Sequence, residues 1–364
     1  MESANKRNSN FEILRIIAII FIIAHHFAYH SNLYFGGYEP SILISVNSIY
    51  AEFLNQLGKI GVNLFILISA YFLIDKTGFK TKKVLSIFFE ALIFSLIIGF
   101  TFFIVNQKEF SFDLLRNILF PIGSSTWWFI TIYLLLYLIH PLLNILINNM
   151  NKKLHLFFVI LFILIWSILP TLLGINYAFN YLGWFITLYF LIGYIKKYDI
   201  NIKLKPYQSI LIGVGIFVIW FIIKIIIERY TSGGQFINEL LRLFSLDMNN
   251  IIQLGFSLLL FISFKNMKYR SNNVINFIAS FTLAIYLFHD HFDIRHFLWI
   301  DLFKVASFGD NPLFILYSLG IILSVFVMGL IVGIIYKYSF GLLINKFLNY
   351  LDKKCLYKID NLFE

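Results

Sequence analysis

Long apolar runs separated by short polar connections dominate the chain, and within each run apolar residues occupy every face a helix could present. At ~1.5 Å rise per residue, about 20 such residues cover the hydrocarbon core of a bilayer, so each run predicts a membrane-crossing helix. The runs lie at 11–30, 57–75, 84–106, 126–147, 154–173, 179–195, 208–228, 249–265, 274–292 and 313–336, with 179–195 and 249–265 the shortest. The predicted fold class is all-α: a polytopic membrane protein of about ten transmembrane helices. No fixed-period repeat relates one half of the chain to the other, so a transporter built from two similar halves gains no support.

Orientation follows from the cations, because Lys and Arg are retained on the cytoplasmic side. With the N-terminus inside, 21 of the 29 Lys and Arg fall in inner connections, among them Arg15, Lys80, Lys82, Lys83, Lys196, Lys197 and Lys337. The outer side receives Lys108, Arg116, Arg229, Arg242, Arg295 and Lys304, while Lys59 and Lys224 fall near the outer ends of spans. This asymmetry predicts an even number of spans and cytoplasmic N- and C-termini. The outer connections 31–56, 107–125, 229–248 and 293–312 are longer than the inner ones and suggest a cap with re-entrant pieces around 110–119 and 236–246. No small-residue cleavage site follows the first run, which Arg15 and a His-His pair interrupt; it is expected to be a retained span rather than a signal peptide.

Composition narrows the function classes. With 60% apolar and 13% charged residues, the chain departs from a soluble domain and from a disordered one alike. A net charge of +10 would suggest nucleic acid in a soluble protein, but here the excess is the inner-loop bias just described, and no nucleic-acid partner is expected. The single cysteine, Cys355, excludes disulfides within the chain and cysteine metal clusters.

Ionisable groups at membrane depth are costly, so each marks a candidate site. Arg15 and His26 are eleven residues apart, three helical turns plus about 20°, which sets them on one face about 16 Å apart along the axis. His30, four residues on, shares that face, and His25 points elsewhere. The alternatives are an Arg15 that snorkels to inner headgroups and a His26 that only packs. The ninth run closes on Ser280-Phe-Thr282-Leu-Ala-Ile-Tyr286-Leu-Phe-His289-Asp290-His291, at the same depth as His26. Six of the eight histidines (25, 26, 30, 289, 291 and 296) thereby collect on the outer side, a pattern that suits proton transfer or a metal. The histidine spacing lacks a defined ligand set, so no metal is expected. Glu90, about two turns into the third span, is expected to pair with a cation, Arg15 being the attractive partner. Lys80-x-Lys82-Lys83 could hold phosphates or act as an ordinary anchor. Trp128, in Thr126-Trp127-Trp128-Phe129, is either interfacial belt or a stacking platform for a sugar ring.

These residues resemble the acyltransferase 3 family of integral-membrane acyltransferases that acetylate surface glycans. The family's Arg, ten intervening residues and His match Arg15 and His26 without a shift. Gly61-Val62-Asn63-Leu64-Phe65 through Ser69-Ala70-Tyr71 is similar to its second-span signature. Trp128-Phe129-Ile130-Thr131 through His140-Pro141-Leu142-Leu143-Asn144 resembles its fourth, and Thr282 to His289 its Thr-x-x-x-Tyr-Leu-x-His segment. Two departures stand out: Asn63 where the family often has Asp, and Lys80-x-x-Lys83 where it often has an Arg pair. The resemblance implies residues 1–340 as one membrane-embedded acyltransferase domain, 341–364 as a short cytoplasmic tail, and the stand-alone type without a fused hydrolase-like domain.

It further implies acetyl-CoA as donor from the cytoplasmic side and a hydroxyl of a glycan or lipid-linked glycan as acceptor, at a bacterial cytoplasmic membrane whose lipids are the other partner. His26 would be general base or transient acyl carrier, and Arg15, Lys80 and Lys83 would bind the donor. Trp128, Tyr286, His289 and Asp290 would contact the acceptor. Competing readings are a different acyl group or an amine acceptor, a transporter or flippase, and a polymerase of lipid-linked glycans. Paired carboxylates at depth are lacking for a transporter, and basic outer loops for a polymerase. No sequence feature sets an oligomeric state.

Overall fold

A computed structural model describes residues 7–31, 45–105, 111–124, 126–174, 180–200, 202–230, 240–241, 243–245 and 247–362, the side chains of 229 and 230 excepted. Among these residues the regular structure is helical, without a strand. The helices are α1 (Ser9–His30), α2 (Val46–Leu73), α3 (Thr81–Val105), α4 (Phe112–Leu119), α5 (Trp128–Asn149) and α6 (Lys152–Leu173, with a π segment at Leu164–Ile168). They continue with α7 (Tyr181–Lys197), α8 (Pro206–Tyr230), α9 (Ile251–Asn266), α10 (Asn273–Ala279), α11 (Thr282–His289), α12 (Phe314–Tyr338) and α13 (Phe340–Leu351). Seven of them, α1, α2, α3, α5, α6, α8 and α12, are long and apolar enough to cross a membrane. The chain is a multi-pass membrane protein. Small polar residues set the helix starts: the side chains of Asn8, Ser45, Ser111, Asn151, Asn180, Asn250 and Asn272 each accept a hydrogen bond from a first-turn amide.

Burial ranks the helices. The most apolar windows of α1 and α2 are 67% and 72% buried, against 17% for α6 and 28% for α3 and α8, so α1 and α2 lie at the centre and α3, α6 and α8 on the outside. These three and α12 expose Ile, Leu and Phe outward, as lipid contact requires, for example Ile104, Phe157, Leu211 and Leu316. The central pair packs closely because two glycines of α2 lie against α1. A Cβ at Gly58 would sit 2.4 Å from the Cβ of His25, and one at Gly61 would sit 2.5 Å from the Ala18 carbonyl oxygen. A Gly61→Val chain is therefore expected to lose about 1–3 kcal/mol through overpacking, read as a lowered unfolding midpoint in detergent.

The structure departs from the sequence pattern in three places. First, α2 begins at Val46, well before the predicted 57, although 46–56 carries Asn47, Ser48, Glu52, Asn55 and Gln56. Three of them find partners from afar: Glu52 pairs with Lys224 of α8, Gln56 Oε1 accepts from Gln253 at 2.7 Å, and Asn47 donates to the Gly309 and Asn311 carbonyls. Second, the ninth run is broken at Ser280–Phe281 into α10 and α11. Third, residues 340–360 are helical and docked: Asp360 Oδ1 accepts from the Thr81 amide at 2.8 Å, capping the start of α3, and Lys82 Nζ donates to Asn349 Oδ1 at 2.5 Å. Of the two expected re-entrant pieces, the first contains α4, which holds Ile118 against Gly99 of α3, and most of 236–246 lies outside the described residues.

Candidate active site

Two elements build the site. Helix α1 presents His26 and His30 one turn apart on a single face, their ring centroids 5.1 Å from each other. Helix α11 ends at His289, and its C-cap Asp290 folds back so that its amide donates to the Tyr286 carbonyl. The next turn, Phe292–His296, returns Arg295 to Asp290, with Arg295 Nε donating to Asp290 Oδ1 at 2.9 Å. His26 side-chain exposure is 11% and that of Asp290 is 2%, while His30 and Arg295 reach 20% and 27%, so the cluster is a buried polar knot that opens on the side of those two residues.

The hydrogen-bond chain fixes the protons. His289 Nδ1 lies 2.6 Å from the Ile285 carbonyl oxygen, which can only accept, so Nδ1 carries the hydrogen and Nε2 is bare in the neutral ring. His26 Nδ1 lies 3.0 Å from that Nε2 and must therefore be the donor. The remaining nitrogen of His26, Nε2, keeps its lone pair. Asp290 Oδ1, 3.4 Å from His26 Nδ1 and 4.0 Å from His30 Nε2, supplies negative charge beside the ring if it becomes imidazolium. A backbone carbonyl, a histidine and a carboxylate thus orient one basic nitrogen, the arrangement that general-base catalysis requires.

The other outer histidines play different parts. His25 Nδ1 pairs with the Asn55 carbonyl at 2.6 Å and packs on Gly58, so it ties α1 to α2. His291 is buried beside Trp127, and His296 is exposed next to Asp301. Ligand atoms of His26, His30 and Asp290 lie within 4.8 Å of one another and could hold a metal ion by composition. The Arg295 guanidinium on the same carboxylate oxygen opposes a cation there.

Arg15 lies about 16 Å below His26 along α1. Its Nη1 donates to Glu12 Oε1 at 2.6 Å, and its guanidinium lies 5.8 Å from the Phe72 ring centroid. The expected Arg15–Glu90 pair does not form. Glu12, one turn back on the same helix, reaches Arg15 first, while Glu90 on α3 acts electrostatically on Tyr336 of α12. Glu12, the partner that the sequence pattern missed, carries the i,i+3 spacing that signals such a pair.

The inner-loop lysines rest on α5. The Lys80 amide donates to the Tyr137 hydroxyl at 3.0 Å, and Lys83 Nζ sits 4.5 Å over the Tyr137 ring, near the Tyr133 hydroxyl. Lys80 Nζ is 3.9 Å from Asp360, and Lys82 faces Asp352 at 3.6 Å. Arg15 and these lysines therefore sit on different walls, α1 on one side and α5 with the C-terminal segment on the other. Trp128 packs on Tyr181 with ring centroids 4.5 Å apart, on a different side of α5 from the histidine cluster. Its neighbours face the cluster instead: Trp127 lies against His291 and Phe129 against Tyr286, at 5.4 and 5.8 Å.

A family model described as an acyltransferase domain, that of the acyltransferase 3 family, matches residues 8–335, from the start of α1 almost to the end of α12. The chain belongs to the acyltransferase 3 family. No curated protein and no solved structure matches it. Membership makes the chain a membrane acyltransferase, and several residues of its family-like motifs turn out to be buried polar clamps. Asn63 donates to the Met248 carbonyl at 2.8 Å and accepts from Trp184 Nε1 at 2.9 Å. Asn144 donates to the Leu73 and Lys76 carbonyls and accepts from the Tyr189 hydroxyl. Asn63 is both donor and acceptor, a role an ionised aspartate cannot fill. Asn63→Asp is expected to cost about 1–3 kcal/mol, measured as loss of thermal stability in detergent.

Proposed function

We propose that this acyltransferase moves an acetyl group from acetyl-CoA, bound from the cytoplasmic side, to a hydroxyl of a cell-surface or exported polysaccharide in a bacterial cytoplasmic membrane. The single observation that carries the reading is the bare Nε2 of His26, held by the His289–Ile285 chain at the end of a polar face that begins with Arg15. The separation along that face, about 16 Å, is about the reach of an extended pantetheine arm. The proposed topology has ten crossings with both termini inside.

The chemistry follows from the geometry. Arg15 uses Nη1 on Glu12, which holds the guanidinium in place and leaves its other N–H groups for the CoA phosphates; Lys80 and Lys83 add charge from the α5 wall. His26 Nε2 takes the proton from the acceptor hydroxyl as its oxygen bonds to the thioester carbon. The carbonyl electron pair moves onto oxygen, then returns and breaks the C–S bond. The CoA thiolate leaves and receives the proton from the His26 imidazolium, which Asp290 has steadied meanwhile. Trp128, packed on Tyr181 apart from the histidines, offers an aromatic face for a more distant sugar ring of the acceptor, and Tyr286 and Asp290, with His289 behind His26, line the acceptor side. No metal takes part, the Arg295 charge standing where a cation would be needed.

The donor half is tested by Arg15→Ala. Loss of charge-assisted bonds to phosphate is expected to raise KM for acetyl-CoA about 10–100-fold with kcat nearly kept. An unchanged KM in steady-state kinetics on proteoliposomes would remove Arg15 from the donor site.

A further inference from the structure

The C-terminal segment carries an exposed surface that no step of the chemistry uses. Helix α13 follows the membrane-crossing α12 after the single residue Ser339, so it starts at the bilayer surface. Its buried positions, Gly341 and Leu348, continue in Leu356 and Asp360 as the stripe turned to α12 and α3. A second strip, Phe340, Leu343, Phe347 and Tyr350, recurs at helical spacing and is 44% to 64% exposed. Phe347 meets the Phe89 ring at 6.2 Å, about two turns into α3, so this strip stands at the depth of a membrane span. A soluble partner would have to enter the bilayer to cover it. Beside the strip stand Lys346, Lys353, Lys354 and Lys358, all exposed. None of the four has an acidic partner among the described residues: Asp352 faces Lys82, and Asp360 caps α3 beside Lys80. Lys354 Nζ donates to the Tyr350 hydroxyl at 3.4 Å, so amine and phenol meet at the polar edge of the strip.

We propose that residues 340–362 form an interfacial arm that lies in the lipid headgroup layer and recognises anionic phospholipids. The strip of Phe340, Leu343, Phe347 and Tyr350 rests on the acyl boundary, and Lys346, Lys353, Lys354 and Lys358 bind the phosphates. Lysine stems lie along apolar surface while their ammonium groups reach the headgroups, which is how an amphipathic helix with lysines at its edge settles in the plane of a membrane. Four cations without protein carboxylates select a surface of net negative charge, since a zwitterionic headgroup meets each of them with a cation of its own. The buried stripe keeps the arm along the surface, held at two points: Asp360 accepts from the Thr81 amide, and Asn349 accepts from Lys82. The arm thereby ties the headgroup layer to the start of α3.

Cys355 lies within the arm, is exposed and is the single cysteine of the chain, so a fluorophore placed there reports on the arm in the whole protein. In phosphatidylcholine vesicles, the fluorophore is challenged with a minor fraction of phosphatidylcholine or phosphatidylglycerol carrying a nitroxide high on the acyl chain. Both lipids are expected to quench it, phosphatidylglycerol at a mole fraction about three- to tenfold lower. High salt should shrink that preference. Lys346→Gln/Lys353→Gln/Lys354→Gln/Lys358→Gln should abolish it and leave quenching by phosphatidylcholine in place. No quenching by either lipid would set the arm off the bilayer and overturn the proposal. Equal quenching by the two lipids in wild type would leave contact without recognition of charge, which overturns it as well; neither result depends on a variant folding. A preference that survives in the fourfold variant would belong to other cations and remove these lysines from the site. None of these measurements involves acyl transfer, so the arm and the donor and acceptor proposed above are tested separately.

Discussion

His26→Ala is expected to lower the rate of acyl transfer about 10²–10⁴-fold while leaving affinity for acetyl-CoA almost intact. The variant loses the one bare nitrogen that can take the acceptor proton, and the donor is held elsewhere, by Arg15 three turns down α1. Alanine also leaves His289 Nε2 without its donor, a cost of about 1–3 kcal/mol, so the comparison is made on folded protein in proteoliposomes. Donor affinity is read in parallel with the inert methyl ketone analogue of acetyl-CoA. A His26→Ala enzyme that works at more than a tenth of the wild-type rate would exclude His26 as base and as acyl carrier.

His289→Phe should cost about 10²-fold in kcat by a different route. It keeps a ring of similar size against His26 but removes both nitrogens, so the Ile285 carbonyl no longer dictates a tautomer through His289. His26 is then free to place its hydrogen on Nε2, the wrong nitrogen for a base. His289→Gln can still accept from His26 Nδ1 through its amide oxygen, and partial recovery is expected. Because His289 acts only through His26, the double variant His26→Ala/His289→Phe should be no slower than His26→Ala alone. Additive losses in that cycle would mean that His289 touches substrate directly. A His289→Phe enzyme as fast as wild type would show that the chain of hydrogen bonds has no part in positioning the base.

Much of this site is visible in the sequence because helical periodicity reports faces. The eleven-residue spacing sets Arg15 and His26 on one side of α1, His30 follows at four, and His25 points elsewhere; the structure shows that it meets α2. The histidines of the first and ninth runs were expected at one depth, and only the packing shows that His289 of α11 is the one that meets His26. Periodicity does not report which residue of one helix meets which residue of another. The Arg15–Glu90 pairing was a guess about inter-helix register, and an i,i+3 contact within α1 prevails over it. The start of α2 was hidden because Glu52 and Gln56 look like loop residues until Lys224 and Gln253, far along the chain, are beside them. Trp127, Trp128 and Phe129 are consecutive aromatics, and only the packing of α5 decides that the first and third face the cluster while Trp128 meets Tyr181. The segment expected as a short tail caps α3 through Asp360, a contact between residues 279 apart.

The most direct test of the account uses purified protein in liposomes, acetyl-CoA labelled in the acetyl group, and a cell-surface polysaccharide fraction on the opposite side of the bilayer. The expected result is label in ester linkage on the polysaccharide, stoichiometric release of CoA thiol, and neither product with His26→Ala. Label that stays in acetyl-CoA with wild-type protein of native fold would contradict the proposed donor and acceptor together.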